Sequence, residues 1–216
     1  MFYLKIYYLI LTLFRIFKYL LSNTKRYSNL LFLILIHKPK SIVEIGIYKG
    51  FRSKEMIQAA KIFNSDVQFF GFDLFEMINK KILKKELSKM PNSKESIEKN
   101  LSKISKVKLF KGYTSKTIPK IKNKKIDFIF IDGGHSLNTI KNDWKNCKYI
   151  IKKNSIIVFD DYYLNNKKII KKFGCNKIIN SISKKEFEKK FCKFTDNFIN
   201  NGEKLRIKMF YLKKIK

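Results

Sequence analysis

The sequence predicts an α/β fold, a doubly wound and largely parallel sheet, on three observations. From residue 41 onward, short β-branched runs alternate with helical patterns, as successive βαβ units do. The tail breaks that rhythm. There "CKFTDNFI" and "KLRIKMFYLKK" flank "NNGE", and Asn201-Gly202 is a hairpin signal, so the sheet closes with an antiparallel pair. Before residue 39 the pattern is apolar and helical, which adds N-terminal helices to the sheet.

The chain opens with "MFYLKIYYLILTLFRIFKYLLSNTKR", where Lys5, Thr12, Arg15 and Ser22 form a narrow polar stripe at near-helical spacing. Its longest uncharged stretch after Lys5, from Ile6 to Phe14, falls short of the ~20 residues that span a bilayer. No small-residue cleavage site follows, against a signal peptide. So much apolar surface must be covered: by the rest of the chain, by a second copy in a homo-oligomer, or by a membrane interface with the cations toward the headgroups. A second apolar helix continues over 30–36 and stops before Pro39.

Strands are expected at 41–46 ("SIVEIG"), 67–73 ("VQFFGFD"), 107–112 ("VKLFKG"), 126–132 ("IDFIFID") and 155–161 ("SIIVFDD"). Helices are expected at 53–63 and 136–150. Between the second and third strands, Pro91-Asn92 divides a lysine-rich amphipathic region, whose segment 77–104 reads as a lid. The chain therefore divides into N-terminal helices at 1–38 and a sheet domain at 39–216.

At 216 residues, 45% hydrophobic, the chain can bury a sizeable core. It carries 48 Lys+Arg against 17 Asp+Glu, a net charge of +31. Lysine far outnumbers arginine, the residue that reads bases bidentately, so the charge reads mainly as solvated lysine and nucleic acid is disfavoured as a partner. Three cysteines without CxxC spacing argue against a disulfide framework and a zinc site. They fit a reducing, cytoplasmic setting, at the membrane surface if the first helix meets lipid.

In an open α/β sheet, ligands bind beyond the carboxyl ends of the strands, where strand order reverses. "EIGIYKG" puts Gly46 and Gly50 in the first such turn, and Ser53 opens a helix whose N-terminus suits a small anion. The G-x-x-x-G spacing lacks the G-x-G-x-x-G of dinucleotide binders, which leaves a nucleoside with a smaller anion and disfavours an NAD enzyme. Asp73 ends the second strand, where an acid accepts both ribose hydroxyls; capping a helix is its other reading. Glu44, costly inside a strand unless paired, should reach the ligand or a backbone donor. Asp132, Asp160 and Asp161 close two apolar runs. If those strands are neighbours the carboxylates converge, and crowding favours a hard divalent cation such as Mg²⁺ among them. His135, three residues past Asp132, suits a general base. The alternative is that Asp132 caps the next helix and His135 only makes a turn.

Together, "EIGIYKGFRS", "FFGFDLFE", "KGYTSKTIP", "IDFIFIDGGHS", "IIVFDDYY" and "FGCNKII" resemble the class I S-adenosylmethionine-dependent methyltransferases, in particular the metal-dependent macrocin O-methyltransferase type acting on sugars. The resemblance covers about residues 40 to 180. It implies a Rossmann-like seven-stranded sheet with an antiparallel last strand. It also implies a cofactor loop at Glu44, Gly46 and Gly50, a ribose acid at Asp73, and an adenine turn around Thr114 and Ser115. Asp132, Asp160 and Asp161 would be Mg²⁺ ligands and His135 the base. Lys153-Asn154-Ser155 stands where the family has Pro-Gly-Gly. The expected activity is methyl transfer from S-adenosylmethionine to a hydroxyl of a sugar or nucleotide-linked sugar. The alternatives are a nucleic-acid methyltransferase and a non-catalytic membrane-surface protein with a vestigial nucleotide site.

Overall fold

A computed structural model describes residues 2–200 and 203–216. In chain order the elements are α1 (Phe2–Leu20), α2 (Arg26–His37), β1 (Ser41–Ile45), α3 (Phe51–Lys61), β2 (Gln68–Asp73), α4 (Lys80–Glu86), α5 (Lys94–Ser102), β3 (Lys106–Lys111), α6 (Thr114–Thr117) and β4 (Ile126–Ile131). Then follow α7 (Leu137–Cys147), β5 (Ile151–Tyr163), α8 (Lys167–Lys172), α9 (Asn176–Ser181), β6 (Phe187–Asn200) and β7 (Glu203–Lys214). One seven-stranded sheet has the order β3-β2-β1-β4-β5-β7-β6. The first five strands pair in parallel, while β7 runs antiparallel to both neighbours. The Asn201-Gly202 turn lies outside the described residues, but the strands it joins pair from Asn200↔Glu203 outward.

Strand alternation builds two cores. On β4, Phe128 and Phe130 face one layer, with Leu30, Ile34, Met56 and Ile57 of α2 and α3. Ile129 and Ile131 face the other, with Ile140 and Trp144 of α7 and Ile178 of α9. Residues of opposite parity thus fill opposite faces, as a strand buried on both sides requires. Helix α2 begins at Arg26, four residues before the apolar run predicted from sequence, and its apolar side lies in the sheet's own core. Lys38 ends it in the left-handed region (φ 48°), ahead of Pro39. The three cysteines are free and buried.

The strand expected to end at Asp160-Asp161 instead runs on to Tyr163. Its pairing with β7 shifts between Phe159 and Tyr162, so both aspartates occupy a bulge, with Asp161 left-handed at φ 53°. A bulge re-aims side chains that regular alternation would send to opposite faces. Asn154 (φ 66°) lies near the start of β5, where the pairing with β4 shifts register between Ile126 and Phe128.

Strand order reverses between β1 and β4, and Gly46 makes that crevice. Its φ is +89°, and a Cβ there would stand 2.0 Å from the Asp132 carbonyl oxygen. Asp132 N donates to Ile45 O at 2.8 Å, and Gly46 N to Phe72 O at 2.8 Å, so the backbone has little freedom to retreat. Gly46→Ala should therefore destabilise the protein by about 3 kcal/mol. Urea denaturation measures this, and an unchanged midpoint would contradict the close approach.

Candidate active site

A cavity of about 800 Å³ opens over the carboxyl ends of β1, β2 and β4, walled on one side by the segment from Ile78 to Pro91. Asp73, at the end of β2, anchors the turn after β1. Its Oδ2 accepts from Ile47 N at 2.7 Å and Tyr48 N at 3.0 Å, and its Oδ1 accepts from Phe75 N at 3.2 Å. The carboxylate is thereby held beside the glycine turn at the cavity wall, where a ribose would meet it.

Not every predicted residue reaches the cavity. Gly46, Asp73, Thr114, Ser115, Asp132, His135 and Asp160 line it, as does one side of Glu44. Ser53 is fully buried and donates its hydroxyl to Glu44, so it positions that acid rather than meeting a ligand. Gly50 caps α3 in the left-handed region (φ 75°) and packs near Ile97 instead of opening to the cavity. Burial lifts the Glu44 acid well above the carboxylate range, and Ser53 only partly offsets it.

The three aspartates do approach one rim, each in a different setting. Arg26 forms a two-pronged pair with Asp160: Nε donates to Oδ1 at 2.7 Å and Nη2 to Oδ2 at 2.9 Å. The same guanidinium donates through Nη1 to Asp196 of β6, whose Oδ1 also accepts from Arg26 N at 2.8 Å. Asp161 Oδ2 lies 3.0 Å from His135 Nε2, while His135 Nδ1 is buried with no hydrogen-bond partner. Burial alone would raise the Asp160 acid, but Arg26 outweighs it and holds it below its ordinary value. Asp161 is raised by burial and then by the Asp160 charge. Asp132, with no cation of its own, is raised furthest, by burial and by Asp160 and Asp161.

These residues do not fit the Mg²⁺ that the sequence resemblance implies. Both oxygens of Asp160 are engaged by Arg26 and one of Asp161 by His135. Among the described residues no group of three or more His, Cys, Asp or Glu is arranged to hold a metal ion. Asp132, Asp160 and Asp161 meet at one rim, and the cation held beside them in this structure is Arg26. A nucleoside cofactor does fit, because the Gly46 turn brings backbone to the cavity wall beside the Asp73 carboxylate.

Sequence reasoning missed Arg26, Asp196, Glu86 and Asp143. A signal for Arg26 was present: only four of the 48 basic residues are arginine, Arg15, Arg26, Arg52 and Arg206. In a chain that otherwise uses lysine, an arginine marks a place needing a planar fork or a stacking surface. Arg52, over the Tyr27 ring at 3.9 Å, follows the same rule. Glu86 docks the 77–104 segment by accepting from Ser136 N at 2.9 Å and Thr139 Oγ1 at 2.9 Å. Asp143 of α7 accepts from Thr114 Oγ1 at 2.6 Å and so fixes the turn after β3.

A switch-point crevice with a glycine turn on β1 and a strand-end acid on β2 defines a nucleoside-binding α/β protein. A family model described as a methyltransferase domain matches residues 43–162, and the chain belongs to that family, the S-adenosylmethionine-dependent methyltransferases. A comparison with curated proteins finds no match. Solved structures with the same fold include the O-methyltransferase TomG of Streptomyces achromogenes in complex with S-adenosylmethionine. That protein is 12% identical, with 87% of this chain and 78% of that one covered and a TM-score of 0.57. The O-methyltransferase of Bacillus cereus in complex with S-adenosylhomocysteine is 16% identical, covering 90% and 82%, with a TM-score of 0.53. The N-methyltransferase NodS of Bradyrhizobium japonicum is 11% identical, covering 89% and 88%, with a TM-score of 0.54. Such identities establish the fold, and the three names span two kinds of acceptor atom.

Burial pushes the Asp143 acid from its ordinary 3.8 up to about 7, with the Thr114 hydrogen bond opposing the rise. An acid raised by folding binds more protons folded than unfolded between those two values. Its contribution to stability therefore falls as pH rises from about 4 to about 7. Asp143→Asn should gain stability relative to wild type across that window and level off above it. Urea titrations at a series of pH values test this, and a pH-independent difference would refute it.

Proposed function

We propose that the protein transfers a methyl group from S-adenosylmethionine to a hydroxyl of a small acceptor, a sugar or nucleotide-linked sugar, without a divalent ion. The observation that carries this is the His135–Asp161 pair beside the cofactor crevice. Asp161 Oδ2 lies 3.0 Å from Nε2, and Nδ1, buried and without a partner, keeps a lone pair that takes a proton once the bound acceptor reaches it. A hydroxyl has to lose its proton to become a competent nucleophile, and a positioned imidazole meets that need. When bound, the cofactor supplies a sulfonium methyl that passes to the acceptor oxygen as its bond to sulfur breaks.

The chain's residues divide the remaining work. Asp73 and the Gly46 turn hold the nucleoside, and Thr114 and Ser115 lie where its base would rest. Asp132, beside His135 at the cavity wall, orients the acceptor hydroxyl, and His135 takes the proton. Arg26 keeps Asp160 charged and fixed, so the rim neither collapses nor repels the acceptor. Much of the rate gain from such a site comes from holding both partners in attacking geometry. The sugar assignment rests on the "IDGGH" and "FDDY" resemblance. Lys49, Arg52, Lys85 and Lys89 at the cavity wall add cations suited to the phosphates of a nucleotide-linked sugar.

A methyl-transfer screen against sugar nucleotides tests the reading. Turnover should persist undiminished in EDTA; loss of activity that Mg²⁺ restores would show that a metal displaces the Arg26 pair. His135→Ala should lower kcat by about 10²- to 10⁴-fold while calorimetry shows unchanged cofactor affinity. A parallel loss of affinity would make His135 structural instead.

A further inference from the structure

The first helix is amphipathic in the inverted sense. Polar groups of its inner face meet the fold: Thr12 is buried, Arg15 donates to Gln58 Oε1 at 2.7 Å, and the Tyr19 hydroxyl donates to Glu55 at 2.7 Å, while Lys18 stays exposed. Most of its apolar residues turn out, Tyr8, Ile16 and Tyr19 being the buried ones. Tyr3, Tyr7, Ile10, Phe14, Phe17 and Leu21 recur at alternating spacings of four and three, and each is more than half exposed; Phe14 and Phe17 expose 62% and 61%. With further exposed leucines and isoleucines beside them, they fill an arc of about 160° at the ~100° per residue of an α-helix, and no charged residue falls within it. A soluble helix presents the reverse pattern.

We propose that this face of α1 lies in the surface of an anionic lipid bilayer. Two features favour lipid over a second copy of the chain. The arc is far broader than the narrow seam with which two helices pack, and breadth is what an interfacial helix uses to sink along its length. The charge decides the rest: at +31, two copies repel, whereas anionic headgroups attract the same field. Insertion parallel to the surface is the mode that fits, because no described helix is long and apolar enough to cross a membrane. Thr24, four residues past the end of α1, lines the active-site cavity, so the bound helix would hold the cavity mouth near the headgroups.

Flotation of the full chain with phosphatidylglycerol vesicles, against phosphatidylcholine vesicles, tests the proposal. The protein should float with the anionic vesicles and much less with the zwitterionic ones, and high salt should weaken the association. The double variant Phe14→Glu/Phe17→Glu should lose at least tenfold in vesicle affinity while keeping wild-type S-adenosylmethionine affinity, which reports an intact fold. Three results would overturn the idea: no flotation of wild type, equal flotation of the variant, or a wild-type dimer that the same variant splits. The last would assign the face to a second copy.

Discussion

The Arg26 guanidinium is the constraint on which the site depends. It joins three elements that are far apart in sequence: its own helix α2, the bulge of β5 through Asp160, and edge strand β6 through Asp196. All three side chains are largely withdrawn from water, and an ion so buried costs several kcal/mol unless its partners restore what solvent supplied. Here the fork restores it on both sides. The pairing is reinforced by a reciprocal amide contact in which Asn29 Nδ2 donates to Phe194 O at 3.3 Å and Asn29 Oδ1 accepts from Phe194 N at 3.2 Å. Strand β6 shifts register against β7 between Phe191 and Thr195, so its backbone needs partners outside the ladder there. Helix α2 provides them, through Arg26 and Asn29.

Around that pair, the geometry sorts three like charges by giving them unlike surroundings. The β5 bulge lets consecutive residues Asp160 and Asp161 serve the same rim, one toward α2 and the other toward the loop after β4. Asp160 receives a permanent cation, Asp161 receives an imidazole, and Asp132 receives neither and is driven toward its protonated form. The two glycines of "IDGGH" belong to this arrangement. A Cβ on Gly134 would stand 2.6 Å from Glu86 Oε2, the carboxylate that docks the 77–104 segment against the start of α7. The loop carrying His135 is therefore shaped by the wall opposite it.

What the sequence revealed and concealed follows from the range of each interaction. Strand runs such as "IDFIFI" and the strand-end position of Asp73 are local patterns, and both are found where the pattern puts them. The expected antiparallel closure also holds, since β7 inserts between β5 and β6. Ser53 was misread because a helix N-terminus looks alike whether it faces a ligand or, as here, a buried glutamate. The Arg26–Asp160 pair spans 134 positions, and no local pattern encodes such a contact. A crowd of carboxylates indicates that some cation is needed without saying whether it is an ion or a side chain. In this chain the scarcity of arginine carried that information.

A guanidinium in place of a metal changes what the site can do as well as what holds it. A divalent ion would bind the acceptor oxygen directly and lower its pKa, so the protein would need only a weak base. Arg26 cannot take that role, because its donors are committed to Asp160 and Asp196 and its charge is neutralised by them. Under the proposed reaction, the burden of activating a hydroxyl then falls on His135. In that reaction the Asp161 contact has a purpose: a carboxylate 3.0 Å from Nε2 would fix the tautomer and steady the imidazolium formed when Nδ1 takes the proton. The left-handed backbone at Asp161 is the local cost of aiming that carboxylate at His135, and aspartate tolerates it better than most residues. Under the proposed reaction the unusual features of β5, its bulge, its positive φ and its paired acids, have one explanation: one carboxylate is locked to an arginine so that the next can serve a base.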